Sequence, residues 1–208
     1  HHYYYIGVNK IWLIVGGIFS ALEPLAFLAM ALFAVYMYRK GEKSHPNKIA
    51  LFWTIGASIV SFVGAGLLGF AHTLPQTNIY THGTLVTAMH GHYAFWGAYA
   101  MIVLAIISYA LPNLTGRKRY NNTSGHMAFW FSNVGMLGMT VAFGVAGVAQ
   151  VYLERKMKLD FMDVQNEIAI HFVVLLVCAT LFTTGITLFI IEFIKYGKPT
   201  DEALVKEE

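Results

Sequence analysis

The sequence predicts an all-α membrane protein, and three observations carry that reading. Of its 208 residues, 57% are hydrophobic and 12% are charged, against about 25% charged in soluble domains. The mean hydropathy is +0.56. Five apolar segments pass the length of about 20 residues that a bilayer-crossing helix needs, and none alternates as a β-barrel wall does. The net charge of +3 comes from loops, and no basic face suited to nucleic acid is present. The single cysteine, Cys178, lies in an apolar segment, which excludes a disulfide framework and a thiolate metal cluster. Any cofactor must therefore hang on histidine and carboxylate.

The five spans are read as 11–38, 48–71, 84–111, 126–153 and 168–196, in a single membrane domain over 1–208. Arg39, Lys40, Lys43 and Lys48 lie between the first and second, Arg117, Lys118 and Arg119 between the third and fourth, and Lys195 and Lys198 after the fifth. These clusters share one side of the membrane, which the positive-inside rule makes cytoplasmic. The 73–83 loop carries no Lys, Arg, Asp or Glu and is placed outside, as is the 154–167 loop with charges of both signs. The sequence opens on His1-His2 without an initiating methionine or a basic leader, and reads as a piece of a longer chain.

Three constellations stand out along the chain. His1-His2, followed by three tyrosines, offers two neutral imidazoles suited to iron, copper or zinc; a purification tag is the competing reading, but HHYYYIG runs straight into the membrane pattern. Glu23 sits about 18 Å into the first span at about 1.5 Å per residue, near mid-bilayer. A carboxylate there costs several kcal/mol unless paired, protonated or wetted, and Pro24 beside it frees a carbonyl one turn earlier. Glu23 is read as a proton relay or an iron-site carboxylate, against a plain hydrogen-bonded kink.

The third constellation is His90-Gly91-His92, about 9–12 Å below the outer boundary by the same rise. Successive helical residues turn by about 100°, so these imidazoles leave opposite faces of one helix. One metal cannot take both, whereas two haems flanking the helix can each take one. The glycine between them lets a flat macrocycle approach. His72 and His82 bracket the outer loop and are read either as hydrogen-bonding partners of haem propionates or as residues of the wet interface. His45 and His126 are assigned to solvated cytoplasmic positions, and His171 receives no role. The small residues Ala57, Ser61, Ala65 and Gly69, and Gly135, Gly138, Gly144 and Gly147, predict close helix packing. Trp12, Trp53, Trp96 and Trp130 are read as packing or interface anchors.

HHYYYIG, GGIFSALEPLAFLAM and GFAHTLPQTNIYTHGTLVTAMHGHYAFWGAYAMI, in that order, resemble the C-terminal part of the catalytic subunits of bacterial nitric oxide reductases, in the haem-copper oxidase superfamily. The resemblance implies that the five spans are the last of about twelve. It makes His1 and His2 two of three histidine ligands of a non-haem iron, His90 the proximal ligand of the high-spin haem b3, and His92 an axial ligand of the low-spin haem b. It makes Glu23 the glutamate near that centre that delivers protons, and places His82 near the haem propionates. The third iron histidine, the iron-site glutamate, the other haem b ligand and a calcium-site carboxylate would come from earlier helices, so the piece alone is expected to be inactive.

The implied activity is the reduction of two NO to N2O in the bacterial inner (cytoplasmic) membrane, with electrons from a cytochrome c subunit; SALEPLAF favours that donor over quinol. The alternatives are a quinol-dependent reductase, an oxygen-reducing oxidase with copper in place of iron, a non-catalytic diheme electron carrier, and a transporter-like bundle whose histidines line a proton path.

Overall fold

The structure is a computed structural model that describes residues 4–41, 47–116 and 122–195. All regular structure among the described residues is helical. Five helices are long and apolar enough to cross a membrane: α1 Lys10–Lys40, α2 Lys48–Thr73, α4 Leu85–Leu114, α5 Thr123–Lys156 and α7 Ala169–Ile194. Two short helices, α3 Pro75–Thr81 and α6 Phe161–Glu167, fill connections read from the sequence as loops. Pro75 stands at the first turn of α3, where its missing N–H removes nothing, and its fixed φ suits helix entry.

Side-chain caps set the starts of three spans. The side-chain oxygens of Asn9, Asn47 and Thr84 accept from the backbone N–H groups of Ile11, Ala50 and Val86, at 3.0, 3.0 and 3.3 Å. α4 runs past Pro112 and ends at Gly116, whose φ of 62° is the left-handed conformation that stops a helix.

In a bilayer, lipid tails are as apolar as leucine, so helices associate through close packing more than through apolar burial. The glycines show where. A methyl group built on Gly64 of α2 would lie 2.7 Å from the Tyr93 carbonyl carbon, and one on Gly97 of α4 would lie 2.6 Å from the Ser61 nitrogen. Gly135 and Gly138 of α5 face Phe182 and Cys178 of α7, while Gly144 and Gly147 face Met89 and Val86 of α4. The predicted glycine row of α5 thus serves two neighbours. The predicted stripe on α2 holds in part: Ala57, Ser61 and Gly69 are buried and Ala65 is half-buried, while Gly64, outside the stripe, lies against the backbone of α4. A π turn over Phe62–Leu67 runs through this stretch and changes which of its residues face the neighbouring helix.

The core around these crossings is aromatic. Trp53 and Trp96 are buried and meet edge to face at 6.1 Å, joined by Phe129 and Phe182. The Trp96 indole donates to Asn133 Oδ1 at 3.1 Å. Trp12 and Trp130 lie on the exposed surface, outside this core. His126, expected to be solvated, is partly buried and packs edge-on to Phe52 at 4.6 Å, because α5 starts early enough to bring it into the helix. α1 is the least enclosed span and has no buried residue.

Candidate haem-bearing site

Helix α4 organises the site because its two histidines turn away from each other. His90 Nδ1 lies 2.9 Å from the carbonyl oxygen of Gly64 on α2. His92 Nδ1 lies 2.8 Å from the carbonyl oxygen of Ala88, one turn back on its own helix, and its ring rests on Phe143 of α5 at 4.9 Å. A carbonyl only accepts, so in each neutral imidazole the proton sits on Nδ1 and the lone pair on Nε2. That is the tautomer a metal-binding histidine adopts when a carbonyl orients it from behind. The donor chemistry and the divergence of the rings fit two haems, one on each flank of α4.

The Gly64 carbonyl is available because of local backbone geometry. Gly64 lies inside the π turn of α2, and a second π turn over Trp96–Ala100 faces it from α4. Such widened turns recur at functional positions in helices. Sequence periodicity gave no sign of either.

On the His90 flank the groups converge on Gly69. A methyl group built there would meet His90 Cε1 at 3.3 Å, His90 Nε2 at 3.9 Å and Glu23 Oε2 at 4.0 Å. Three spans therefore bring a carboxylate, an imidazole and a bare backbone position together. The chain fold does this with Pro24, whose Cα lies 3.4 Å from the equivalent point on Gly66, pressing α1 onto the π turn. Glu23 remains exposed on the described surface, and its carboxylate makes no hydrogen bond among the described residues. The structure supports the predicted nearness in depth of Glu23 and His90.

His72 corrects an expectation. Rather than lying at a wet interface, it is 4% exposed and stacks on His90 with ring centroids 4.9 Å apart and planes at 25°. The cause is α3, which folds over the end of α2. Asn78 of α3 is itself buried and donates to the His72 carbonyl oxygen at 2.7 Å. His72 Nδ1 is held by the Leu68 carbonyl at 2.8 Å. Its Nε2 and Asn78 Oδ1 are buried with no hydrogen-bond partner among the described residues. Leaving each such acceptor unmet costs about 1–3 kcal/mol. The acceptor on His72, stacked on His90, and the one on Asn78 are thus left for hydrogen-bond donors from outside the described residues.

The segment after His2 is anchored at the same end. The Tyr4 hydroxyl donates to the Thr73 carbonyl oxygen at 2.6 Å, and burial, with Tyr5 beside it, pushes the phenol above its usual pKa and keeps it a donor. Tyr5 packs on the ring of His82 at 4.2 Å. His82 is exposed. Gln150, overlooked in the sequence, is buried and ties α5 to the start of α4: its Oε1 accepts from the Leu85 N–H at 2.9 Å, and its Nε2 donates to Glu154 at 2.8 Å. A side-chain amide in an apolar span was the signal for it. Glu192, also unassigned, is buried near the far end of α7. His171 Nδ1 lies 3.2 Å from the Ile168 carbonyl in the first turn of α7, away from these groups.

His1, His2 and His45 lie outside the described residues. Among the described residues no three His, Cys, Asp or Glu side chains converge to hold a metal ion, so those residues alone do not supply an iron site.

The family described as Cytochrome C and Quinol oxidase polypeptide I matches residues 1–181. The chain is also 41% identical over 206 residues to a nitric oxide reductase subunit of Stutzerimonas stutzeri, an alignment that takes in 95% of this chain and 44% of the relative. The chain thus spans less than half the length of that curated relative.

Proposed function

The chain belongs to the family of cytochrome c and quinol oxidase polypeptide I, and from that premise we propose that it serves as part of the catalytic subunit of a nitric oxide reductase. The observation that carries the proposal is the divergence of His90 and His92 from one helix, each with Nδ1 held by a carbonyl. The overall reaction joins two NO with two electrons and two protons to give N2O and water. When bound, haem b, haem b3 and a non-haem iron supply the redox chemistry and the substrate-binding metals.

The chain's own residues supply position and protons. His92 would hold haem b through Nε2, and His90 would hold haem b3 through Nε2. Being two residues apart on one rigid helix, they keep the two groups at a fixed separation. Glu23, beside Gly69, would hold a proton at Oε2 for delivery to the oxygen leaving as water. His1 and His2 would ligate the iron, with the remaining ligands and a calcium-site carboxylate supplied from outside this sequence; the chain alone would therefore be inactive. His82 would face the haem propionates. SALEPLAF supports a cytochrome c subunit as the electron donor, and the basic connections between spans support an inner-membrane protein with His82 on the outer side.

The test is optical and EPR spectroscopy of the complete enzyme. His92→Ala removes the low-spin haem signal and leaves the non-haem iron bound, and His90→Ala removes the high-spin signal. A low-spin signal surviving in His92→Ala overturns the assignment.

A further inference from the structure

We infer that His72 is a positioning residue that fixes the plane of the His90 imidazole, and so the orientation of that ring over the iron it would bind. The inference rests on His90 being an iron ligand. The Gly64 carbonyl holds one atom of the His90 ring, Nδ1, at 2.9 Å. That bond orients the ring about its Cβ–Cγ axis, and a flat contact on the ring face narrows the swing that the hydrogen bond still allows. His72 is that contact, with centroids 4.9 Å apart and planes at 25°. Aromatic rings in this range attract one another in offset arrangements.

His72 is built to be rigid. It is 4% exposed, its Nδ1 is tied to the Leu68 carbonyl at 2.8 Å, and its backbone carbonyl is clamped by Asn78 at 2.7 Å. Bare Gly69 leaves room beside the edge of the His90 ring, with Cε1 3.3 Å from where a methyl group would stand. A carbonyl at one corner and a flat face at its side thus both act on the ring, and Gly69 adds no side chain beside Cε1. An axial imidazole's angle about the iron–nitrogen bond sets its overlap with the metal orbitals, and a second residue that fixes that angle tunes the iron without touching it.

The experiment is resonance Raman spectroscopy of the reduced complete enzyme, read at the iron–imidazole stretching band, with haem content measured beside it. His72→Leu keeps the volume and removes the flat face; the band shifts and broadens while the high-spin haem stays bound. His72→Phe keeps the flat face and loses the nitrogens; the band stays at the wild-type position and width. An unchanged band in His72→Leu overturns the inference, as does a His72→Phe band displaced as far as that of His72→Leu. Should His72→Leu fail to assemble, His72→Ala, which also removes the flat face, takes its place in both comparisons. A band that persists in His90→Ala instead overturns the ligand assignment, an outcome distinct from either failure of His72.

Discussion

The carbonyl oxygen of Gly64 and Nδ1 of His90, 26 residues apart in sequence, are 2.9 Å apart across the α2–α4 crossing. One atom of backbone thereby selects the tautomer of the imidazole. The contact exists because Gly64 has no side chain: a methyl group there would lie 2.7 Å from the Tyr93 carbonyl carbon and 2.8 Å from the Ala94 nitrogen. Backbone on the opposing side cannot rotate away as a side chain can.

Gly64→Ala therefore forces α2 and α4 apart and lengthens the His90 hydrogen bond. The expected cost is about 1–3 kcal/mol, the range for overpacking a well-packed contact. Thermal unfolding in detergent should report the lower stability, and the high-spin haem signal should weaken more than the low-spin one. Equal weakening of both signals would mean that the strain is not local to His90.

The spans and the opposed histidines were legible in the sequence because hydropathy and the 100° helical turn are local properties. The short helices α3 and α6 were not, since too few apolar residues mark them among polar connections. The two π turns were invisible for a stronger reason: a π turn inserts a residue without changing composition, so the close approach at Gly64 carried no periodic mark. The wet-interface reading of His72 failed because its burial depends on α3 folding back over it, which no pattern within α2 reveals. Nearness in depth of Glu23 and His90 followed from topology, but their meeting at Gly69 required three spans packed in one arrangement.

Gln150→Ala tests how α4 is seated. Thr84 caps the Val86 N–H at the first turn, while the Gln150 side chain reaches across from α5 to serve the Leu85 N–H at 2.9 Å. Losing that partner costs about 1–3 kcal/mol. Hydrogen exchange at Leu85 and neighbouring amides should quicken at least tenfold, a factor that corresponds to about 1.4 kcal/mol, while amides in the middle of α4 stay protected. Unchanged exchange at Leu85 would show that water or another group replaces the amide.

Glu23→Gln keeps the shape of the side chain and removes its acid. Positioned proton transfer contributes typically 10²–10⁴-fold to a rate, so NO turnover in the complete enzyme should fall by about 100-fold or more. Haem spectra should stay as in the wild type, because Glu23 stands beside Gly69 and the His90 ring without bonding to it. Full turnover in Glu23→Gln would remove the proton role and leave the carboxylate a packing feature of the Pro24 turn.

Gly91 lies between the two histidines, and a methyl group built there meets nothing within 4 Å among the described residues. Its backbone is ordinary helix, where alanine is favoured over glycine by roughly 0.5–1 kcal/mol. On the polypeptide's own terms, Gly91→Ala should thus be neutral or slightly stabilising. If a flat macrocycle comes close to α4 on either flank of the histidine pair, the added methyl instead obstructs a group that the chain does not itself provide. The expected result is a protein that inserts and unfolds like the wild type but carries less haem, measured by pyridine haemochrome content per chain. Gly97→Ala serves as the contrast, because its methyl would press on Ser61 and Val60 of α2 and lower stability directly. Full haem content in Gly91→Ala would mean that glycine at this position answers to no bound group, and that the two rings are approached only along their Nε2 directions.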